Sequence, residues 1–166
     1  MSRITAIVNQ KGGVGKTTTA LNLGYALSEM GKEVLLIDFD PQASLTAALG
    51  CKVEDRANIQ TLMALAIEEK ELIEGEEYLL NVKDNLDLIP CSLELAGIEM
   101  SLVNVMSREL ILKSVLENIE KDYNHIIIDC SPSLGMLTVN ALAACNSVII
   151  PVTPEYLSAK GLGLLV

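Results

Sequence analysis

The chain has little of what marks a membrane protein, a disulfide-stapled protein or a zinc protein. Its 166 residues contain no apolar run of about 18 residues, and no charged-then-apolar signal opens the sequence. Its four cysteines lie far apart, with no C-x-x-C pair, which disfavours a zinc site and a disulfide framework. We therefore expect one cytoplasmic domain over residues 1–166, with free thiols and no membrane segment.

Positive charge is also scarce. Twelve Lys and Arg residues stand against 22 Asp and Glu residues, so the formal net charge is −10. Lys and Arg supply nearly all non-specific affinity for nucleic acid, so this balance disfavours DNA binding through the overall charge of the chain. A local basic patch is the alternative. The only histidine, His125, opens a predicted strand at its far end from the glycine-rich loop described next, and we expect it to be structural.

The most informative stretch is a glycine-rich loop that follows a short apolar run, Ile4 to Val8, and precedes a helical pattern. Its residues are Asn9-Gln10-Lys11-Gly12-Gly13-Val14-Gly15-Lys16-Thr17-Thr18-Thr19. The second half matches the phosphate-binding pattern G-x-x-x-x-G-K-[ST], but Gln10 stands where that pattern has its first glycine. Glycines allow a tight turn around an anion, and the helix that follows directs its positive end at that anion. The alternative is a strand-to-helix turn that binds nothing.

Hydrophobic periodicity predicts alternating strands and helices. We expect helices over 17–30, with Gly31 as a left-handed cap, and over 45–49, 59–73, 134–144 and 156–166, plus one capped by Ser107 that ends near Lys121. Continuous apolar runs predict buried strands over 34–37, 86–90, 125–128 and 147–151. This alternation is typical of an α/β fold with a doubly wound, mostly parallel sheet.

Three aspartates follow predicted strands. Asp38 and Asp40 come after Val34-Leu35-Leu36-Ile37, and Asp129 ends the run Ile126-Ile127-Ile128. Ligands of such sheets gather beyond the carboxyl ends of the strands, so these carboxylates and Lys16 are expected at one site. Alternatively, Asp38 and Asp40 only cap a turn, since Asp-Pro is a turn dipeptide, and Asp129 is a simple cap.

Together these motifs resemble the ParA/MinD family of ATPases, and most closely its ParA/Soj branch. The first matching motif is Lys-Gly-Gly-Val-Gly-Lys-Thr from Lys11, which resembles the deviant Walker A box of this family. The other matching motifs are Asp-Phe-Asp-Pro-Gln from Asp38, Leu-Ala-Gly from Leu95, Ile-Ile-Ile-Asp-Cys-Ser-Pro from Ile126 and Val-Thr-Pro-Glu-Tyr from Val152. Ser131 departs from the family, which usually has Pro there. The resemblance implies a P-loop NTPase fold.

The resemblance also implies roles for site residues. ATP would be bound by the loop from Lys11 to Thr18, including Gly12, Gly13, Val14 and Gly15, and Lys16 would contact its β- and γ-phosphates. Thr17 would ligate Mg²⁺ directly, whereas Asp38 and Asp129 would hold that ion through water. Asp40 would position the attacking water, and Lys11 would cross to the nucleotide of a partner subunit.

The function implied is a partition ATPase that switches between a monomer and an ATP sandwich dimer, with a ParB-like centromere-binding partner and chromosome or plasmid DNA as cargo. Family members run to about 250 residues, so later strands, base-contacting residues and the DNA-binding patch are expected to be missing, and a full-length form would be nucleoid-associated. The alternatives are a truncated regulatory module without turnover and a MinD-like regulator of division-site placement.

Overall fold

The computed structural model describes residues 2–53, 56–119 and 121–153. Within these residues the strands are β1 (Arg3–Ile7), β2 (Val34–Phe39), β3 (Leu80–Lys83), β4 (Leu86–Ile89), β5 (His125–Cys130) and β6 (Ser147–Ile149). The α-helices are α1 (Lys16–Glu29), α2 (Ser44–Ala48), α3 (Ile59–Ile67), α4 (Gly75–Tyr78), α5 (Leu95–Ser101), α6 (Ile111–Glu117) and α7 (Met136–Ala144). The predicted helix over 156–166 lies outside the described residues.

The described strands form one sheet in the order β3-β4-β2-β5-β1-β6. Only β3 runs antiparallel to its neighbour, and the other pairs are parallel. Helices cover both faces: α1 and α2 pack on one core cluster, and α3, α5, α6 and α7 pack on the other. The predicted doubly wound, mostly parallel α/β fold is therefore confirmed.

Helix α1 links β1 to β2 and fixes the position of the glycine-rich loop. It packs so closely on the sheet that a Cβ on Gly24 would lie 2.8 Å from Leu36 Cδ2. Gly31 follows the helix with a φ of 73°, and its N–H donates to Ser28 O, so the predicted left-handed end is confirmed.

Several predicted boundaries are wrong. Helix α3 ends at Ile67, not at residue 73, because Glu69 adopts a left-handed φ of 54° although neither Gly nor Pro marks the place. Ser107 makes no capping hydrogen bond, and a 3-10 turn, Arg108–Leu110, separates it from α6. The cap comes instead from α7, where Asn140 Oδ1 accepts from Leu112 N. Helix α7 also begins two residues late, and strand β3 was not predicted.

A polar network lies near the amino ends of β4 and β5, at the opposite end of the sheet from the glycine-rich loop. Asp87 of β4 accepts hydrogen bonds from Asn81 Nδ2, Lys121 Nζ and Tyr123 Oη, at 3.0, 2.8 and 2.8 Å. Burial would raise the pKa of Asp87, but hydrogen bonds from Lys121, Asn81 and Tyr123 outweigh it and hold that pKa below its usual value.

This network predicts a pH-dependent stability. Because the pKa of Asp87 is lower in the folded state than in the unfolded chain, its contribution is complete above about pH 4 and is lost as the pH falls through the folded value. Asp87→Asn should lower the free energy of unfolding by about 1–3 kcal/mol at pH 7, and the difference should shrink near pH 3. Urea unfolding at pH 7 and pH 3 measures this difference in the free energy of unfolding, and Asp84→Asn, at an exposed aspartate, is the control. A difference that does not change with pH would contradict the lowered pKa of Asp87.

Candidate functional site

The glycine-rich loop connects β1 to α1 at the carboxyl end of the sheet. Asn9 anchors its start: Oδ1 accepts from Lys11 N at 2.9 Å, and Nδ2 donates to Pro151 O at 2.8 Å. Gly13 and Gly15 have positive φ values of 73° and 87°, which side chains rarely adopt. Gly15 is also the N-cap residue of α1, so the unpaired N–H groups of the first helical turn begin directly at the loop.

Lys16 lies at the centre of the site. Although it is a lysine, only 7% of its surface is exposed, and its Nζ donates to Lys11 O at 3.2 Å. Burial lowers the pKa of its ammonium group, while the charges of Asp129 and Asp40 partly oppose that shift. The loop thus wraps around one buried cation.

Two of the predicted carboxylates stand side by side, because Asp38 of β2 is the direct register partner of Asp129 of β5. Both are buried. Asp38 is fully engaged in the protein: Oδ2 accepts from Thr46 N and Oγ1 at 2.8 and 2.7 Å, and Oδ1 accepts from Asp40 N at 3.3 Å. Burial nevertheless raises the pKa of Asp38.

Asp129 differs from Asp38 in its surroundings. Both of its carboxylate oxygens are buried without a hydrogen bond of ordinary geometry, although the nearby Thr17 hydroxyl lowers its pKa in part. Burial and the charges of Asp38 and Asp40 dominate and raise the pKa of Asp129 to about 7. Buried oxygens without donors are costly in a native protein, so this pair fits a cation bound between Asp129 and Thr17.

The described residues contain no group of three or more His, Cys, Asp or Glu side chains arranged to hold a metal alone. Mg²⁺ is usually bound by one or two carboxylates together with waters and substrate phosphates.

Asp40 lies at the rim of the site, half-buried. Its Oδ1 accepts from Gln42 N at 2.9 Å, which is the turn-capping contact expected of Asp before Pro41. Its charge also acts on the ammonium of Lys16. The structure thus brings Asp40 to the predicted site and gives it a turn-stabilising contact as well.

Sequence reasoning missed Thr46 of α2. Its backbone and hydroxyl hold Asp38, and the hydroxyl also accepts from Cys91 N at 3.0 Å, so it ties β2 to the end of β4. No spacing pattern points to a threonine eight residues after an aspartate. Two expectations agree with the structure: His125 lies at the start of β5, at the opposite edge from the loop, and all four cysteines are free.

Comparison with known proteins identifies the family of this chain. Residues 2–166 match the family model described as AAA domain. The chain belongs to this family. The chain is similar to the sporulation initiation inhibitor protein Soj of Bacillus subtilis, 47% identical over 99% of this chain and 64% of the relative. It is also similar to the chromosome-partitioning ATPase Soj of Treponema pallidum, 42% identical over 99% of this chain and 62% of the relative. The predicted resemblance to the ParA/Soj branch is thereby confirmed.

Similar solved structures agree with the fold described above. Cobyrinic acid a,c-diamide synthase from Mycobacterium smegmatis, with bound ADP and magnesium, superposes with a TM-score of 0.88 at 38% identity, over 99% of this chain and 65% of that one. A plasmid partition protein from Borrelia burgdorferi gives 0.85 at 34% identity, over 99% and 70%. These neighbours confirm the P-loop fold. The present chain spans less than two thirds of the length of the Soj relatives.

No helix among the described residues is both long and apolar enough to cross a bilayer.

Proposed function

We propose that this chain binds and hydrolyses Mg²⁺-ATP as a partition-type ATPase. The observation that carries the proposal is that one site holds a buried cation, Lys16, and a buried carboxylate without a hydrogen-bond donor, Asp129. Asp129 lies on β5, the strand next to β1. A triphosphate would give the Lys16 ammonium anionic oxygens to contact, and its metal ion would supply the partner that Asp129 lacks. The ADP and magnesium bound by a neighbour of the same fold support the same cofactors here.

The phosphates are assigned to the loop from Lys11 to Thr18. Backbone N–H groups of Gly12, Gly13, Val14 and Gly15, with those of the first turn of α1, would donate to phosphate oxygens. Lys16, held by Lys11 O, would contact the β- and γ-phosphates. The ammonium is already oriented towards the loop, so little side-chain entropy remains to be lost on binding.

The metal ion is assigned to Thr17 and Asp129, with Asp38 acting through water. Bound Mg²⁺ would neutralise charge on the phosphates during transfer. Asp129 is the carboxylate with unfilled acceptor capacity, whereas both oxygens of Asp38 already accept hydrogen bonds from the protein. We therefore assign the larger share of metal affinity to Asp129. Asp38 instead holds Thr46, and with it the start of α2.

Asp40 is assigned to the attacking water. Asp40→Ala should keep ATP and Mg²⁺ affinity within about twofold, because the assigned phosphate and metal contacts remain, but should slow turnover by about 10²–10⁴-fold. Single-turnover hydrolysis together with ATP titration separates the two effects. Asp122→Ala, at an exposed aspartate remote from the loop, is the matched control. Turnover equal to that of the parent chain would leave Asp40 with only its turn contact to Gln42.

We further propose that ATP brings two copies together face to face, with Lys11 of each copy reaching the nucleotide of the other.

We also propose a ParB-like centromere-binding protein as the partner of this dimer. The names of the relatives, two Soj proteins and a plasmid partition protein, support chromosome or plasmid DNA as cargo. Cosedimentation with the ParB-like protein, with and without ATP, tests the partner directly.

A further inference from the structure

The hydroxyl group of Thr46 has a fixed position and a fixed direction. Thr46 is only 2% exposed, and Asp38 beside it is fully buried. The hydroxyl accepts from Cys91 N at 3.0 Å and donates to Asp38 Oδ2 at 2.7 Å. A hydroxyl has a single proton, so the bond from Cys91 leaves that proton directed at the carboxylate. The backbone N–H of Thr46 donates to the same oxygen at 2.8 Å.

The carboxylate of Asp38 carries this constraint on to Asp40. Its Oδ2 is held by Thr46, and its Oδ1 accepts from Asp40 N at 3.3 Å. Because a carboxylate is planar and rigid, the placement of Oδ2 also determines where Oδ1 lies. One chain of hydrogen bonds therefore runs from the end of β4 through Thr46 and Asp38 to the backbone of Asp40, and the members of such a buried chain support one another.

The turn that begins at Asp40 is held in an uncommon conformation. Asp40 O accepts from Ala43 N at 2.8 Å, and Ala43 has a φ of 51°, a left-handed value that residues with a Cβ rarely adopt. Such a conformation costs free energy, and it persists where surrounding contacts over-determine it, commonly at functional sites. Ala43 is also the N-cap residue of α2, the helix that carries Thr46. The turn is thus clamped between Asp38 on one side and Thr46 on the other.

We propose that Thr46 is a positioning residue for hydrolysis, which acts through Asp38 to place Asp40 over the nucleotide. Asp40 has been assigned to the attacking water, so the inference rests on the proposed function. The contacts assigned to phosphate and metal, those of Lys16 and Asp129, do not pass through Thr46. Turnover should therefore depend on the Thr46 hydroxyl much more than ATP binding does.

Two substitutions isolate the hydroxyl. Thr46→Val keeps the shape of the side chain and removes the hydroxyl, whereas Thr46→Ser keeps the hydroxyl. We expect Thr46→Val to slow single-turnover hydrolysis by about 10–10²-fold, as a small misplacement of a catalytic group does, and to keep ATP affinity at saturating Mg²⁺ within about threefold. Thr46→Ser should stay within about threefold of the parent chain in both measurements. Thr46→Ala also lacks the hydroxyl and takes the place of Thr46→Val if that chain does not fold.

Thr5→Val is the matched control. Thr5 is a threonine of β1 that is 7% exposed, and its hydroxyl shares a hydrogen bond of 2.8 Å with Ser147 Oγ. Its replacement therefore also removes a buried hydroxyl and one side-chain hydrogen bond, but at a place without a link to Asp38 or Asp40. We expect Thr5→Val to leave turnover unchanged.

Hydrogen exchange of the Asp40 amide, measured by NMR on the 166-residue chain without nucleotide, tests the placement independently of activity. Loss of the hydrogen bond to Asp38 should make this amide exchange at least about tenfold faster in Thr46→Val than in the parent. Thr46→Ser should exchange like the parent. The amides of β1 should keep their parental rates in both variants, which shows that the sheet is intact.

Each alternative has its own result. Equal turnover of Thr46→Val and the parent, or a Thr46→Ser chain as slow as Thr46→Val, would overturn the inference. An equal loss of ATP affinity and turnover would overturn it too, because general damage to the site predicts that pattern. Unchanged exchange of the Asp40 amide in Thr46→Val would overturn it whether or not the chain hydrolyses ATP. A parent chain without turnover would instead contradict the proposed function, and the exchange rates would still decide whether Thr46 places Asp40.

Discussion

Lys16→Ala should abolish nucleotide binding rather than merely slow turnover. The ammonium of Lys16 is buried in the loop, where the residue is 7% exposed and held by Lys11 O. Its removal would leave triphosphate oxygens facing Asp38, Asp40 and Asp129 without the buried cation of the loop. Charge-assisted hydrogen bonds to phosphate are strong, and several would be lost together, so we expect ATP affinity to fall by at least about 10²-fold.

Calorimetric titration of ATP at saturating Mg²⁺ measures this loss. Lys32→Ala is the control, because Lys32 is an exposed lysine in the turn after α1 and should leave affinity unchanged. Circular dichroism of the Lys16 variant must match that of the parent chain. Unchanged ATP affinity in a folded Lys16→Ala protein would remove the phosphate-loop assignment.

Lys11→Ala should separate binding from association. The backbone of Lys11 is fixed on both sides, since its N–H donates to Asn9 and its carbonyl accepts from Lys16, so the substitution keeps the loop and removes only the side chain beyond Cβ. ATP binding by one copy should persist. Dimerisation with ATP and hydrolysis in the dimer should be lost together, the latter by about 10³–10⁵-fold, as for the loss of an arginine finger.

Sedimentation velocity with ATP and Mg²⁺ tests this second expectation. The parent should sediment as a dimer and Lys11→Ala as a monomer, while their ATP affinities agree within about threefold. Lys52→Ala, at an exposed lysine outside the loop, is the control. A Lys11→Ala chain that dimerises like the parent, or one that simply loses ATP affinity, would place Lys11 on its own nucleotide instead.

The part of the site that sequence could predict is the part encoded in contiguous stretches. A buried strand followed by Asp or by a glycine-rich turn places its last residues at one edge of a parallel sheet, so Lys16, Asp38 and Asp129 could be brought together without coordinates. The structure shows that Asp38 and Asp129 are indeed register partners. The roles assigned to these residues stay predictions until they are tested.

What could not be predicted depends on contacts between distant segments. Asn140 of α7 caps α6, so the local cap signal of Ser107 was misleading. The short strand β3 exists because β4 offers it an edge and Asn81 bonds Asp87, neither of which produces a clear period in the sequence. Thr46 holds Asp38 from a separate helix.

The central claim is that Lys16, Thr17 and Asp129 bind ATP together with Mg²⁺, and the affinity for ATP as a function of Mg²⁺ concentration tests it most directly. For the parent chain, affinity should rise at least about tenfold from EDTA to millimolar Mg²⁺, because the unpaired Asp129 oxygens gain a cation. Asp129→Asn keeps the shape but removes the charge, so it should still bind ATP through Lys16 while losing most of that Mg²⁺ dependence. A parent chain that binds ATP equally well in EDTA, or an Asp129→Asn variant with the full Mg²⁺ response, would contradict the account.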